Sequence, residues 1–288
     1  MEPRERDDRF VPISSQPTGR TTDARRTCRR VQPSELDRPA SYTVQLVRRA
    51  EELEAAQRLR YRVFGRELGA RLGAAADEKE QDYDRFDPYC DHLVVIHRPT
   101  GNVAGTYRML PATRTRDVGG FYSESEFDLD RLAGIAPHAV ELGRAAVHPA
   151  HRNGAVITLL WSGLLNYIYA HQFRYVLGCA SIPMGRAPEQ AAALCGDLLQ
   201  QYLVNAEWWV FPRRPLHIPS DPGVARAALP SLLKGYLRLG ALIGGAPARD
   251  DEFGVADLFL ILPIDCIPTR YAMRLTRFMH GMETKVSS

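Results

Sequence analysis

VELGRAAVHPAHRNGAVI, residues 140–157, decides the fold. Ala139–Val147 reads as a strand. Pro149–Gly154 breaks the chain, and Ala155–His171 reads as a strongly apolar helix. At such a junction the unpaired N–H groups and the helix dipole face one place, which suits a phosphate anion. Arg152 adds a charge-assisted donor, and Gly154 lets a ligand approach the backbone closely. An ordinary strand-to-helix turn is the alternative. The segment is neither a GxxxxGK[ST] loop nor a GxGxxG turn.

Working outward, Tyr42–Val47 alternates as a strand, and Glu51–Leu68 has helical spacing at Leu53, Ala56, Leu59, Val63 and Phe64. Gly69–Tyr89 reads as a long polar connection. Two strands, His92–His97 and Val103–Leu110, flank the turn Pro99-Thr100-Gly101-Asn102. A loop with Gly119-Gly120 and a short amphipathic piece at Phe127–Leu132 follow. Beyond residue 171, Tyr175–Ser181 and Ala256–Leu262 read as strands, with helices at Glu189–Asn205 and Leu232–Leu242. The order β-α-β-β-β-α-β-α predicts an α/β or α+β sheet. Residues 1–40, rich in Arg, Asp, Pro, Ser and Thr, read as a mobile tail, and 41–288 as one domain.

The chain has 288 residues, 45% apolar and 25% charged, with a formal charge of +3. These values exclude a disordered or collagen-like chain and give no reason to expect nucleic acid. The longest apolar windows, Ala155–Leu165 and Leu258–Ile264, are shorter than the roughly 20 residues of a spanning helix. Cys28, Cys90, Cys179, Cys195 and Cys266 are scattered without a CxxC pair, which argues against a disulfide framework or a zinc site. Arg4, Arg6 and Arg9 precede no apolar run, so no secretory leader is expected, and a reducing cytoplasm is.

The remaining motifs are Arg60-Tyr61-Arg62-Val63-Phe64, Asp84-Arg85-Phe86-Asp87, Gly105–Pro111 (GTYRMLP) and Glu141-Leu142-Gly143-Arg144. With Val147–Gly154, this ordered series resembles the acyl-homoserine-lactone synthases of the GNAT superfamily. Further segments are similar to a sister family, the ornithine–acyl-carrier-protein N-acyltransferases of ornithine-lipid synthesis. They are Cys90–Leu93, Gly119–Leu129, Leu160-Trp161, Gly178–Ser181, Lys234–Gly240 and Asp257-Leu258-Phe259. The resemblance covers about residues 42–272. It implies a GNAT-like fold: a mixed, largely antiparallel sheet with a splayed strand pair and helices on both faces. It also implies an acyl carrier protein thioester as donor, typically 3-hydroxyacyl, and an α-amino acid, ornithine, as acceptor. The glycine-rich run usual after Arg152 is reduced to Gly154, which fits a carrier-borne phosphopantetheine better than acetyl-CoA. No resident cofactor or metal is expected.

Amide formation from a thioester requires a neutral amine, a stabilised oxyanion and a leaving thiolate. Glu141 is the candidate base, with pairing to Arg144 as the alternative. Glu and Arg three apart on a strand face opposite ways unless Gly143 carries a bulge, which would also free an N–H for the oxyanion. Ser181 is a candidate proton donor to sulfur, or a cap. Asp84 and Asp87 could meet the acceptor's side-chain ammonium or hold the long connection. Arg108 could clamp the acceptor carboxylate or join those aspartates in an ion-pair network. Arg60, Phe64, Val147, Arg152, Asn153, Gly154 and Cys179 complete the expected binding set. Asp82-x-Asp84-x-x-Asp87 lacks the glycine and glutamate of a calcium loop. Lys234 and Arg238 could meet an acidic carrier protein or lipid headgroups, or form a solvated face. The basic, amphipathic run Arg270–Met279 could lie on the inner leaflet of an anionic membrane, or pack on the core as a last helix. The rival readings are an acyl-homoserine-lactone synthase, another N-acyl amino acid synthase, and a non-catalytic carrier- or membrane-binding module.

Overall fold

The structure, a computed structural model, describes residues 41–220, 223–271, 273 and 275. The N-terminal tail reading and most of the Arg270–Met279 run therefore lie outside the described residues. Alternation of side chains builds an eight-stranded sheet. Strands β1 (Tyr42–Leu46), β2 (Asp91–His97) and β3 (Asn102–Pro111) run antiparallel, followed across the sheet by β5 (Ala139–Val147). Next come β6 (Tyr175–Pro183), parallel to β5, then β10 (Val255–Pro263) and β8 (Leu242–Ile243). Strand β9 (Ala248–Asp250) pairs with β10, and β4 (Phe127–Asp128) pairs with β7 (Phe211–Pro212) in a separate small sheet.

Alternate residues feed two cores. Leu258, Leu260 and Leu262 of β10 join one cluster, while Phe259 and Ile261 join the other. The first core carries α4 (Ala155–Ala170), α5 (Pro188–Tyr202) and α6 (Ser231–Arg238). The second holds Phe86, Phe121, Phe127 and Val118, the last from α3 (Ala112–Val118). Helix α1 (Ala50–Tyr61) sets Leu59 against Ala146, whose β5 neighbours Ala145 and Val147 belong to the opposite core. Helices thus cover both faces. Helix α4 lies close on the sheet because Gly105 has no side chain: a Cβ there would come within 2.5 Å of Val156. No helix among the described residues is long and apolar enough to cross a membrane.

Several expectations shift in detail. Residues Arg62–Glu67, expected as plain α-helix, form a π-turn continuing α1. The connection Gly69–Tyr89 contains a short helix, α2 (Ala74–Lys79), and the loop before Gly119 contains α3. Helix α3 has one buried residue, Val118, so its sequence carries no apolar periodicity. Helix α5 stops at Tyr202 and α6 at Arg238, short of the expected Asn205 and Leu242. Beyond α6, Leu242 and Ile243 leave the helical path to pair with β10.

Candidate active site

Strands β5 and β6 pair only through Ala139↔Tyr175, Val140↔Val176 and Glu141↔Leu177, and then part. Gly178 stands at the fork. Its backbone lies so close to the Leu142 carbonyl that a Cβ would strike it, and its φ of +154° is one that L side chains rarely adopt. On the other side of β5, Thr106 faces Ala146 while Arg108 faces Gly143. Arg144 and Ala145 thus oppose Tyr107 alone, which is a β-bulge. The expected bulge is present, but its left-handed residue is Arg144 (φ +51°), not Gly143. Arg144 is held in that conformation by contacts its side chain makes, and glycine has none to offer.

A cavity of about 200 Å³ opens at the fork. Of the expected residues, Phe64, Arg108, Glu141, Arg144, Cys179 and Ser181 line it. Its apolar wall includes Leu142, Ala180, Leu232, Leu233 and Tyr236. Tyr236 shares a 2.8 Å hydrogen bond with Tyr107 and is met edge-on by Trp161 at 4.7 Å.

Beneath the cavity, three arginines meet three aspartates. Arg60, fully buried, donates from Nε to Asp82 at 2.9 Å and from its terminal nitrogens to Asp87 at 2.8 and 3.0 Å. Arg108 donates to Asp84 at 2.6 Å and to Asp87 at 3.0 Å. Arg144 lies 3.1 Å from Asp82 and 3.4 Å from Asp84. Gln57 donates to Asp87 at 3.0 Å. Burial alone would raise the Asp87 carboxyl; Arg60 and Arg108 outweigh it and hold it far below its ordinary value. Arg108 and Arg144 do the same for Asp84 against a similar burial effect. Asp84 and Asp87 therefore already face guanidinium charge. Arg108 and Arg144 link these aspartates to the cavity wall.

Glu141 does not pair with Arg144 among the described residues. It accepts hydrogen bonds from the Tyr122 N–H (2.6 Å), the Ser123 N–H (2.8 Å) and the Ser123 hydroxyl. It thereby holds the turn Tyr122–Ser125 against β5. Burial lifts its pKa, and the hydrogen bonds from Ser123 and Tyr122 only partly oppose this. Three of the roughly four acceptor sites of a carboxylate are filled, leaving one on Oε2. Arg144 stacks over Tyr122 (5.0 Å) and Phe253 (4.7 Å). Burial, with Glu126 and Asp257 nearby, pushes the Cys179 thiol well up, which suits an inert cysteine. The Ser181 hydroxyl donates to Asp257 at 2.6 Å, so as placed it offers the cavity lone pairs rather than a proton.

Val147, Arg152, Asn153 and Gly154 sit apart from the cavity lining, at the end of β5 and the start of α4. Gly154 takes a left-handed φ of +87°, and the Asn153 side chain accepts from the Ala155 N–H at 3.1 Å. Arg152 grips Glu67 with both terminal nitrogens, at 2.5 and 2.7 Å. An incoming phosphate must share that guanidinium with Glu67 or displace it. His148, in the same turn, accepts from Arg62 at 2.6 Å.

The cavity is also lined by Tyr122 and Glu126 of the Gly119–Leu129 segment, by Asp257 of Asp257-Leu258-Phe259, and by Asp250 and Phe253, which lie in no motif. In the charged trio, Asp250 and Asp257 lie close in sequence on the paired strands β9 and β10, and chain folding brings Glu126 to them from a distant segment.

The family described as Acetyltransferase (GNAT) domain matches residues 59–162. The chain is 38% identical over 251 residues to "L-ornithine N(alpha)-acyltransferase" of Rhizobium meliloti (strain 1021), covering 82% of this chain and 84% of that protein. It is 34% identical over 253 residues to the protein of the same name from Rhodobacter capsulatus, covering 84% and 98%. Among solved structures, the CoA-dependent acyl-homoserine lactone synthase BjaI, with SAM and isopentyl-CoA, superposes with a TM-score of 0.51 at 14% identity. That match covers 82% of this chain and 89% of BjaI and bears on the fold. A GNAT-like sheet parted at a bulged strand, with close sequence similarity over four fifths of its length, makes this chain an acyltransferase belonging to the L-ornithine N(alpha)-acyltransferase family.

Proposed function

We propose that this chain moves a 3-hydroxyacyl group from the thioester of acyl carrier protein to the α-amine of L-ornithine, giving N-α-(3-hydroxyacyl)-ornithine and the free carrier thiol. The observation that carries this reading is the fork: β5 and β6 part after Glu141↔Leu177 around a cavity that is apolar along one wall and charged along the other. A pantetheine arm, itself amide-bearing and extended, fits between parted strands. Its acyl chain has the apolar slot by Leu232, Leu233 and Tyr236. The bulge at Arg144 turns backbone N–H groups out of the ladder, where they can meet the oxyanion.

In this reading Glu141 takes the proton that makes the α-amine nucleophilic, using its remaining Oε2 site. The amine adds to the thioester carbonyl to give a tetrahedral oxyanion, which collapses with loss of the thiolate. Of the three ammonium protons, one stays on the amide nitrogen, one reaches sulfur and one leaves to solvent. The Arg60–Asp87–Arg108 lattice keeps Arg108 and Arg144 fixed along the cavity. Carrier protein as donor is supported by the shortened glycine run at Gly154 and by Lys234 and Arg238, exposed one helical turn apart on α6.

Purified protein given 3-hydroxyacyl carrier protein and L-ornithine should release free thiol, one equivalent for each N-α-(3-hydroxyacyl)-ornithine seen by mass spectrometry. Thiol release that requires S-adenosylmethionine, or that occurs with other amines but not ornithine, contradicts the assignment.

A further inference from the structure

We propose that Glu126, Asp250 and Asp257 form the subsite for the acceptor's side-chain ammonium, and so select a dibasic amino acid over a neutral one. This rests on the acceptor reading above and goes further by naming the residues that recognise the second charge.

The three carboxylates stand on separate elements. Glu126 follows the Tyr122–Ser125 turn, Asp250 ends β9 and Asp257 lies in β10. Each offers an oxygen within 4.8 Å of the other two. Three points so spaced always share a position no more than about 2.8 Å from each, which matches a charge-assisted N–H···O contact. An alkylammonium has three N–H donors and no acceptor, so it can satisfy one oxygen of each carboxylate.

A second observation points to a missing ligand. Glu126 is only 7% exposed, lines the cavity, and its Oε2 receives no hydrogen bond. The other two are partly engaged: Asp257 accepts from Ser181, and Asp250 accepts from the backbone N–H groups of Glu252 and Phe253. Among the described residues, no ion pair joins the trio to a cation. Burial, first, then the neighbouring Asp257 carboxylate and a hydrogen bond shared with it push the Glu126 carboxyl up, so the free site holds a proton that an arriving ammonium would displace. By contrast, Asp84 and Asp87, the sequence-based candidates for this task, are already faced by Arg60, Arg108 and Arg144.

The subsite also stands at a suitable place. Ser123 bridges Glu141 to Cys179, its oxygen 3.3 Å from the sulfur, and Ser181 beside Asp257 is two residues farther along β6. Two residues of strand span about 6–7 Å. The four carbons between the two nitrogens of ornithine cover a similar distance.

The test compares L-ornithine with L-norvaline, which lacks only the terminal amine, at a fixed level of 3-hydroxyacyl carrier protein. Wild-type protein should prefer ornithine. In Glu126→Gln and Asp257→Asn, kcat/KM for ornithine should fall at least about tenfold more than that for norvaline. As a check that does not depend on the variants folding, ornithine should raise the wild-type Tm more than norvaline at equal concentration. Parallel losses for both acceptors, or no wild-type preference, overturn the subsite and leave ornithine acylation standing. Turnover abolished by a chelator and restored by a divalent cation overturns it in favour of a metal site. A wild-type protein that acylates neither amine removes both the subsite and the function beneath it.

Discussion

Glu141→Gln should lower kcat by about 10²–10⁴-fold, the range for losing a general base. An amide oxygen in the Oε1 place can still accept from the Ser123 N–H and hydroxyl, but the amide nitrogen in the Oε2 place cannot accept from the Tyr122 N–H, and neither can take the ammonium proton. The pH profile separates these effects. Activity requires the ionised carboxylate, so wild-type kcat/KM should rise with pH through the Glu141 pKa. Burial puts that limb above the ordinary carboxylate range. In the variant the limb should vanish. A variant that retains wild-type kcat, or keeps the same acidic limb, removes Glu141 from proton transfer and leaves it as the clamp of its turn.

Arg60→Met should cost about 3–5 kcal/mol of stability, because it leaves buried carboxylates without their cation. Arg60 is wholly buried and is bonded to both Asp82 and Asp87. Methionine fills the space but answers neither charge. The sign with pH is definite. Asp87 is held below its ordinary value of 3.8, so its contribution is present above that pH and is lost as pH falls through the folded value. The deficit of the variant should therefore be largest near neutrality and shrink below about pH 4. Denaturant unfolding at pH 7 and pH 3.5 measures it. Equal stability at pH 7 would show that the lattice contributes no net stabilisation to the fold.

The sheet was legible because its strands carry short alternating or wholly apolar runs, such as Leu93–Val95 and Leu258–Leu262, and because α4 is an unbroken apolar stretch. The sequence left open whether β5 carries a bulge at Gly143 that would turn Glu141 and Arg144 to one side. It could not place that bulge, since local pattern favours glycine for a positive φ, while Asp82, Asp84 and the rings of Tyr122 and Phe253 hold Arg144 there. Arg108 as either clamp or lattice member was a choice that only distances could make. The role of Asp82 was hidden for a related reason: its partners Arg60 and Arg144 are 22 and 62 residues away, beyond any spacing rule. Glu126 and Asp250 were illegible because acidic residues in loops ordinarily read as solvated. Their burial follows from the meeting of the Tyr122–Ser125 turn, β9 and β10.

The central claim is that the donor's pantetheine arm enters where β5 and β6 part. Hydrogen exchange tests it most directly, on the full chain with and without carrier protein bearing an acyl amide in place of the thioester. Amides of residues 142–147 and 178–183 should slow by at least about tenfold on addition of the donor. Unchanged exchange in both strands, with protection appearing on another surface, would contradict the account.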